Sequence, residues 1–343
     1  MKILISGVYG ASKWQHPFFA ATADALEQLG HEVHRFHAGI DAAAPTAGQK
    51  LLERSLTGPA RLLGIDKRSV KQRLPWTTEF KRHQALLEAV TRHRPEILIV
   101  ITYVRYPAEV LRQCRDLGVR TLVGWFVEGP QHEYDAESEA PLYDRYFCIH
   151  RNLKADWQQR IAHLPAIALN ATEFHPLQPA PPRREQIVFV GNRTERRARY
   201  LAALHDLPLQ IWGPGGWDQD PALKHAFRSE FIWGPELNAL YNQSAIVLNI
   251  STWDPGLSGL TQRVLDVPAS GTFLLTDESA DLRALPELGR HIATFETPEQ
   301  LRAQCLHYLA EPQQRDEIAV QAYRAALAFP DFKAIATRLI HVD

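Results

Sequence analysis

The stretch "IVFVGNRTERRARYLAALHDLPLQIWG" (Ile187–Gly213) decides the fold class. Four apolar residues run into Gly191-Asn192. An amphipathic helical pattern, "TERRARYLAAL", follows, and a second apolar run, "LQIWG", ends in Gly213. Strand, helix and strand in that order form a crossover unit, which sets the two strands parallel. The rhythm continues toward the C-terminus. Helix "PELNALYNQS" precedes strand "AIVLNI", and a short helix lies within "GLSGLTQRVLDVPASGTFLLTDESADL" (Gly256–Leu282). Strands "TFLLT" and "HIATF" come next, with helices through Leu327.

It also continues toward the N-terminus. "KILIS", "HEVHRF", "EILIVIT", "RTLVGWF" and "DRYFCI" read as strands. Helical patterns fall at "PFFAATADALEQLG", Ala85–Arg92 and Ala108–Leu117. Between the two series, "EFHPLQPAPPRREQ" (Glu173–Gln186) carries four prolines and is expected to be irregular. The chain of 343 residues is therefore α/β, with two doubly wound, Rossmann-like parallel sheets. The expected units are 1–173, a linker at 174–185, and 186–328. The amphipathic tail 329–343 is placed back on the first unit.

Composition narrows the function. A formal net charge of −1 gives no field that would attract nucleic acid. The arginines at 183, 184, 193, 196, 197 and 199 read first as solvated faces. Cys114, Cys148 and Cys305 are few and scattered, which suggests a reducing, cytoplasmic setting without disulfides or structural zinc. There is no transmembrane run, although basic residues from Arg61 to Arg94 leave weak peripheral membrane contact open.

In open parallel sheets, ligands bind at the carboxyl ends of strands. In the first unit that place is "SGVYGASKWQH", where Gly7 and Gly10 allow a tight turn and His16 is a candidate base. The loop is not G-x-G-x-x-G, so a dinucleotide is a weak reading. Glu128, in "GWFVEGP", is a second candidate catalytic group. In the second unit, Gly191-Asn192 and Gly213 are small residues where a ligand could approach the backbone. Backbone amides at Ser258, Gly259 and Leu260 are expected to open a helix and cradle a diphosphate. Arg263 would add a contact to it, and Asp266, three residues on, would point the same way and accept ribose hydroxyls. From the residues alone, an ordinary Arg263–Asp266 salt bridge explains the spacing equally well. "DQD" (Asp218–Asp220) resembles a metal-binding motif but reads better as a capping cluster, and no metal site is expected.

The runs "IVFVGNRTERRARYLAAL", "LQIWGPGGW", "LYNQSAIVLNISTWDPGLSGLTQRVLDVPASGTFLLTD" and "HYLAEPQQRDEIAVQAY" together resemble the CgeB-like (spore maturation protein CgeB) glycosyltransferases, over about residues 187–328. The first half, in "GVRTLVGWFVEGP", is similar more loosely. The resemblance implies the GT-B architecture, in which two Rossmann-like domains face a cleft. It also implies a nucleoside-diphosphate sugar donor held mainly by the second domain, with no cofactor. Asp266 matches the family's ribose-holding acid, Arg263 its diphosphate arginine, and Gly191-Asn192 its donor loop. The base would lie by the "IWGPGG" and "FIWGPE" loops, near Trp233. A wider pattern of two glutamates separated by seven residues is replaced here by Ser258 and Asp266, which leaves inversion or retention open. The acceptor, a sugar, lipid-linked glycan or protein, would enter by Gly10–His16 and Glu128. The alternatives are a sugar-nucleotide epimerase on the same fold and a non-catalytic nucleotide-binding protein.

Overall fold

The computed structural model describes residues 1–7, 17–39, 46, 48–49, 51–52, 54–55, 74–101, 105–127, 139–151, 160–229, 231–252 and 259–341. Gly10, His16, Glu128, Ser258 and most of the basic stretch from Arg61 onward lie outside them.

The first half forms a six-stranded sheet in the order β2-β1-β3-β4-β5-β6. Its strands are β1 (Lys2–Gly7), β2 (Glu32–His37), β3 (Ile97–Ile101), β4 (Thr121–Phe126), β5 (Arg145–Cys148) and β6 (Ala162–His163). Every pairing is parallel. Helices cover both faces, which is why β3 is buried along its whole length, "ILIVI". Alternate residues divide between the two faces. Ile3, Ile5, Ile97, Ile99 and Trp125 pack on α1 (Pro17–Gln28). Leu4, Leu98, Val100 and Leu122 pack on α2 (Thr78–His93) and α3 (Ala108–Asp116). Thr77 caps α2 by accepting from the Phe80 amide, and Arg94 ends it in the left-handed region at φ 48°.

The second half forms another six-stranded parallel sheet, ordered β12-β11-β10-β7-β8-β9. The strands are β7 (Arg184–Val190), β8 (Leu209–Trp212), β9 (Phe227–Ser229), β10 (Ser244–Asn249), β11 (Leu274–Asp277) and β12 (Ala293–Phe295). Its helices are α4 (Glu195–Ala202), α5 (Gly234–Gln243), α6 (Arg263–Ala269), α7 (Ala280–Arg283), α8 (Pro298–Ala310) and α9 (Pro312–Leu327). From β7 the chain moves outward through β8 and β9, then returns to β10 on the other side of β7. Strand order therefore reverses between β7 and β10, and the loops there diverge to leave a crevice.

Two expectations need correction. β7 begins at Arg184, inside the stretch expected to be irregular. The last proline is Pro182, so the amides beyond it are free to join the sheet, and Arg184 aligns with Ser244. The helix expected near Ser258 begins only at Arg263. Gly259 holds φ 120°, a left-handed backbone that cannot continue a helix. Thr261 spends its hydroxyl on Asn249 Oδ1 at 3.0 Å.

A final helix, α10 (Phe332–Ile340), lies against α1, with Phe332 5.8 Å from Phe18 ring to ring. The chain crosses beside itself on the way, where the Leu169 amide donates to Pro330 O.

Candidate functional site

The crevice between β7 and β10 is built from guanidinium groups. α4 starts immediately after β7, capped by Thr194, so Arg196 and Arg197 arrive one turn above the strand ends. Arg197 is 4% exposed. Its Nε donates to Ile250 O at 2.8 Å and its Nη1 to Asn192 O at 3.0 Å and to Asn192 Oδ1. It thus ties the loop after β7 to the end of β10. Burial first, then repulsion from Arg263, pulls its pKa down to about 9; Asp277 opposes the fall. Arg196 lies 3.2 Å from Asp277, both side chains almost fully buried. Arg263 reaches back from α6 across the crevice, donating to Val190 O at 2.5 Å and Asn249 Oδ1 at 2.7 Å.

Asp277 interacts with Arg196 and Arg197, and its Oδ2 also accepts from the amide and hydroxyl of Ser251. Among the described residues Arg196 Nη2 and Arg263 Nε are buried and have no hydrogen-bond partner by geometry, and Tyr241 lies beside the Arg263 guanidinium. An unpaired buried N–H on a charged group costs about 1–3 kcal/mol or more. Two of them stand at a strand-order reversal, the position where open parallel sheets bind ligands.

Asp266 is not paired with Arg263. Among the described residues no ion pair joins them, although Arg263 is near enough to favour the ionised Asp266 carboxyl. Its Oδ1 accepts from Gln262 Nε2 at 2.8 Å instead. The ordinary salt-bridge explanation of the spacing fails with that geometry. Burial pushes the Asp266 carboxyl up to about 8; the Gln262 hydrogen bond opposes this, and the nearby Glu173 carboxyl adds to it. The folded chain therefore holds a proton here that the unfolded chain releases near 3.8, so this group makes stability fall as pH rises from about 4 to 8. Asp266→Asn is expected to remove that slope. Thermal melts across this window should show the variant gaining several degrees on the parent by pH 8, and parallel curves would refute the assignment.

Glycine roles also differ from expectation. A Cβ on Gly191 would sit 3.1 Å from Arg197 Nη1, and one on Gly213 would lie 2.1 Å from Gly191 O. Gly213 adopts φ 135°. Both residues are small so that the loops can close on each other and on Arg197. Gly7 is similar: a Cβ there would meet Phe19 of α1 at 2.7 Å. The Gly259 amide, expected to face a diphosphate, donates to Asp281 Oδ2 of α7. Because that donor is taken and α6 starts four residues later, the expected amide cradle does not form at Gly259.

Trp233, the N-cap residue of α5, is 56% exposed and edges against Phe231. It lines a cavity of about 530 Å³ between the two halves, with Asp24 and Gln28 of α1, Asn170, Glu173 and Lys333. A far smaller void, about 10 Å³, is lined by Asn249, Ser251, Gly259, Thr261, Val264 and Asp277, without Arg196 or Arg263. The two buried guanidinium N–H groups, rather than either void, single out the β7/β10 crevice as the candidate site. In the "DQD" loop, Asp220 accepts from both Nε and Nη2 of Arg193 and caps the Ala222 amide. Among the described residues no group of three His, Cys, Asp or Glu side chains could hold a metal ion.

Sequence reasoning placed Arg196 and Arg197 on a solvated face, whereas the structure buries Arg197 and leaves only 10% of the Arg196 side chain exposed. The signal was available: a threonine cap immediately after a glycine-ended strand fixes which helical turn faces the strand ends. Gln262 and Asp281 gave no such signal, because their partners, Ala168 and Arg151, are distant in sequence.

Two parallel sheets, each with helices on both faces, match the GT-B fold of solved glycosyltransferases. Similar solved structures include sucrose-phosphate synthase from Thermosynechococcus elongatus, with TM-score 0.65, 14% identity, 98% of this chain and 96% of that one. A glycosyltransferase from Rickettsia africae aligns with TM-score 0.64, 12% identity, 100% of this chain and 99% of that one. HepE of Anabaena in complex with UDP-glucose aligns with TM-score 0.62, 12% identity, 99% of this chain and 98% of that one. At these identities the likeness is one of fold. Residues 193–341 match the family model described as glycosyl transferase-like. No curated protein matches the sequence.

Proposed function

We propose that this protein is a GT-B glycosyltransferase of the CgeB-like kind. It moves a hexosyl or deoxyhexosyl group from a UDP-, dTDP- or GDP-sugar to a glycan, glycolipid or protein hydroxyl. The observation that carries the proposal is the pair of buried guanidinium N–H groups of Arg196 and Arg263 at the β7/β10 crevice that find no acceptor among the described residues. A diphosphate supplies the missing acceptors. The family match over the second half and the UDP and UDP-glucose bound by HepE support the donor class.

In this scheme the bond between the sugar's anomeric carbon and the diphosphate oxygen breaks, and the departing oxygen takes the electron pair. Arg196 and Arg263 meet the growing charge in a water-poor crevice, where fixed cations act most strongly. Positive charge from the protein serves where other enzymes use a metal, so the reaction is written as metal-independent. The acceptor hydroxyl attacks from the first domain and gives its proton to His16 or Glu128. Asp266 holds the ribose, and the loop of Trp233 lies beside the base. The three cysteines are buried and free, in keeping with a cytoplasmic setting. Among the described residues no helix is long and apolar enough to cross a membrane.

A thermal-shift panel of UDP-, GDP- and dTDP-sugars tests the donor class. At 100 times Kd a ligand adds about 2.7 kcal/mol, or several degrees. One nucleotide should stand out. No shift with any of the three would overturn the proposal.

A further inference from the structure

The donor region is tied to the first half of the molecule at two points. Gln262 stands at the N-cap of α6, yet its side chain makes no capping bond. It turns outward and pairs with the peptide of Ala168. The Ala168 amide donates to Gln262 Oε1 at 3.0 Å, and Gln262 Nε2 donates back to Ala168 O at 2.6 Å. The second hydrogen of Nε2 goes to Asp266. Three of the amide's four hydrogen-bonding positions are thus used, two on the Ala168 peptide and one on the Asp266 carboxylate. Ala168 belongs to the first domain's core, beside Leu164, Trp125 and α10.

The second tie is separate in sequence. Arg151, just beyond β5, lies 3.3 Å from Asp281 Oδ1, and Asp281 Oδ2 accepts the Gly259 amide. Both ends of the segment 259–266 are therefore fastened through a side chain to the other domain.

We propose that Gln262 is a positioning residue that fastens the ribose-side carboxylate to the first domain, so that donor affinity depends on how the two domains sit together. This rests on the donor site described under the proposed function. The amide–peptide pair is directional and short, so a shift of the domains by an ångström or two breaks it and leaves the Gln262 amide, no longer fixed by Ala168, free to turn away from Asp266. The converse follows by linkage: a donor that needs Asp266 oriented and ionised favours the arrangement in which Gln262 is clasped.

The charged and titratable groups around Asp266 make the coupling readable. Glu173 faces it from the connector, Tyr241 from α5 and Arg263 from its own helix. Glu173 disfavours the ionised form, while Gln262 and Arg263 favour it. Ribose hydroxyls donate to the ionised carboxylate, so donor affinity should rise with pH until Asp266 has lost its proton. Removing the Gln262 donor should move that midpoint upward.

The test measures donor affinity by calorimetry for the full chain and for Gln262→Met, between pH 6 and 9, with UDP-, GDP- and dTDP-glucose as probes. Methionine keeps the length and removes the amide. Gln262→Met is expected to weaken binding about tenfold and to shift the pH midpoint alkaline. A residue that only stabilised α6 would lower the melting temperature without moving the midpoint. Gln262→Asn, which keeps the amide but falls one methylene short of Ala168, gives the same readout should the methionine variant fail to fold. Parental affinity and midpoint in the folded variant would overturn the clasp alone. Failure of the parent to bind any of the three sugars would overturn the donor reading and the clasp with it.

Discussion

Arg263→Ala is expected to weaken nucleotide-sugar binding about 100-fold, while Arg263→Lys recovers only part of the loss. A charged hydrogen bond to phosphate contributes about 1.5–3 kcal/mol, and every 1.4 kcal/mol is tenfold in affinity. The free Nε is the group a phosphate would take up, and the two Nη atoms keep the guanidinium across the crevice at Val190 and Asn249. Lysine restores the charge but not the planar fork that meets two strands at once. Calorimetry with the best nucleotide from the panel measures both variants. Equal affinity in parent and alanine variant would move the diphosphate away from the β7/β10 crevice. The melting temperature needs to be read alongside, because alanine also removes two hydrogen bonds between α6 and the sheet.

The second large effect concerns stability. Arg197→Ala is expected to cost about 3–5 kcal/mol, lowering the melting temperature of the second domain by roughly 10 °C. The side chain is buried against Phe189, holds the Asn192 carbonyl and side-chain oxygen, and holds the Ile250 carbonyl. Truncation leaves a cavity and strips the Ile250 and Asn192 acceptors of their donor. The change is not purely a loss, since it also removes a cation that repels Arg196 and Arg263. A fall under about 1 kcal/mol in urea titrations would show that the buried cation was already near break-even. Arg197→Met separates the terms by refilling the volume without the hydrogen bonds.

Much of the architecture was legible because parallel, doubly covered sheets leave a strong pattern. "ILIVI" and "AIVLNI" have no polar alternation, and only strands buried on both faces look like that. Thr77, Thr194 and Thr297 all cap helices in the sequence positions where caps belong. What escaped was short or non-local. β6 has two residues and β9 three, too few for any periodic signal, and both sit at sheet edges, held by neighbours far along the chain. The helix start at Arg263 was missed because Thr261 and Gln262 look like ordinary first-turn residues. Their side chains are spent on Asn249 and Ala168, partners that only the folded chain brings near.

The site divides the same way. Arg263 was found from its place after a small-residue loop, and the structure sets it at the β7/β10 crevice. Asp266 was singled out by its spacing from Arg263, and the structure turns its carboxyl to the Gln262 amide. A spacing of three residues puts two Cβ atoms on one face, yet long side chains diverge when each has a better partner. Arg263 is drawn to carbonyl oxygens and Asp266 to an amide. Gly191 and Gly213 were noticed for the correct reason, lack of a side chain, but the vacant space is taken by Arg197 and by backbone.

Hydrogen–deuterium exchange of the full chain with saturating UDP-, GDP- or dTDP-glucose gives the most direct measurement. The nucleotide sugar that binds should slow exchange in peptides covering 190–197, 249–252 and 259–266 together, the three segments that border the β7/β10 crevice. Protection confined to the first sheet, around 1–7 and 97–101, or no protection with any of the three, would contradict a donor site in the second domain.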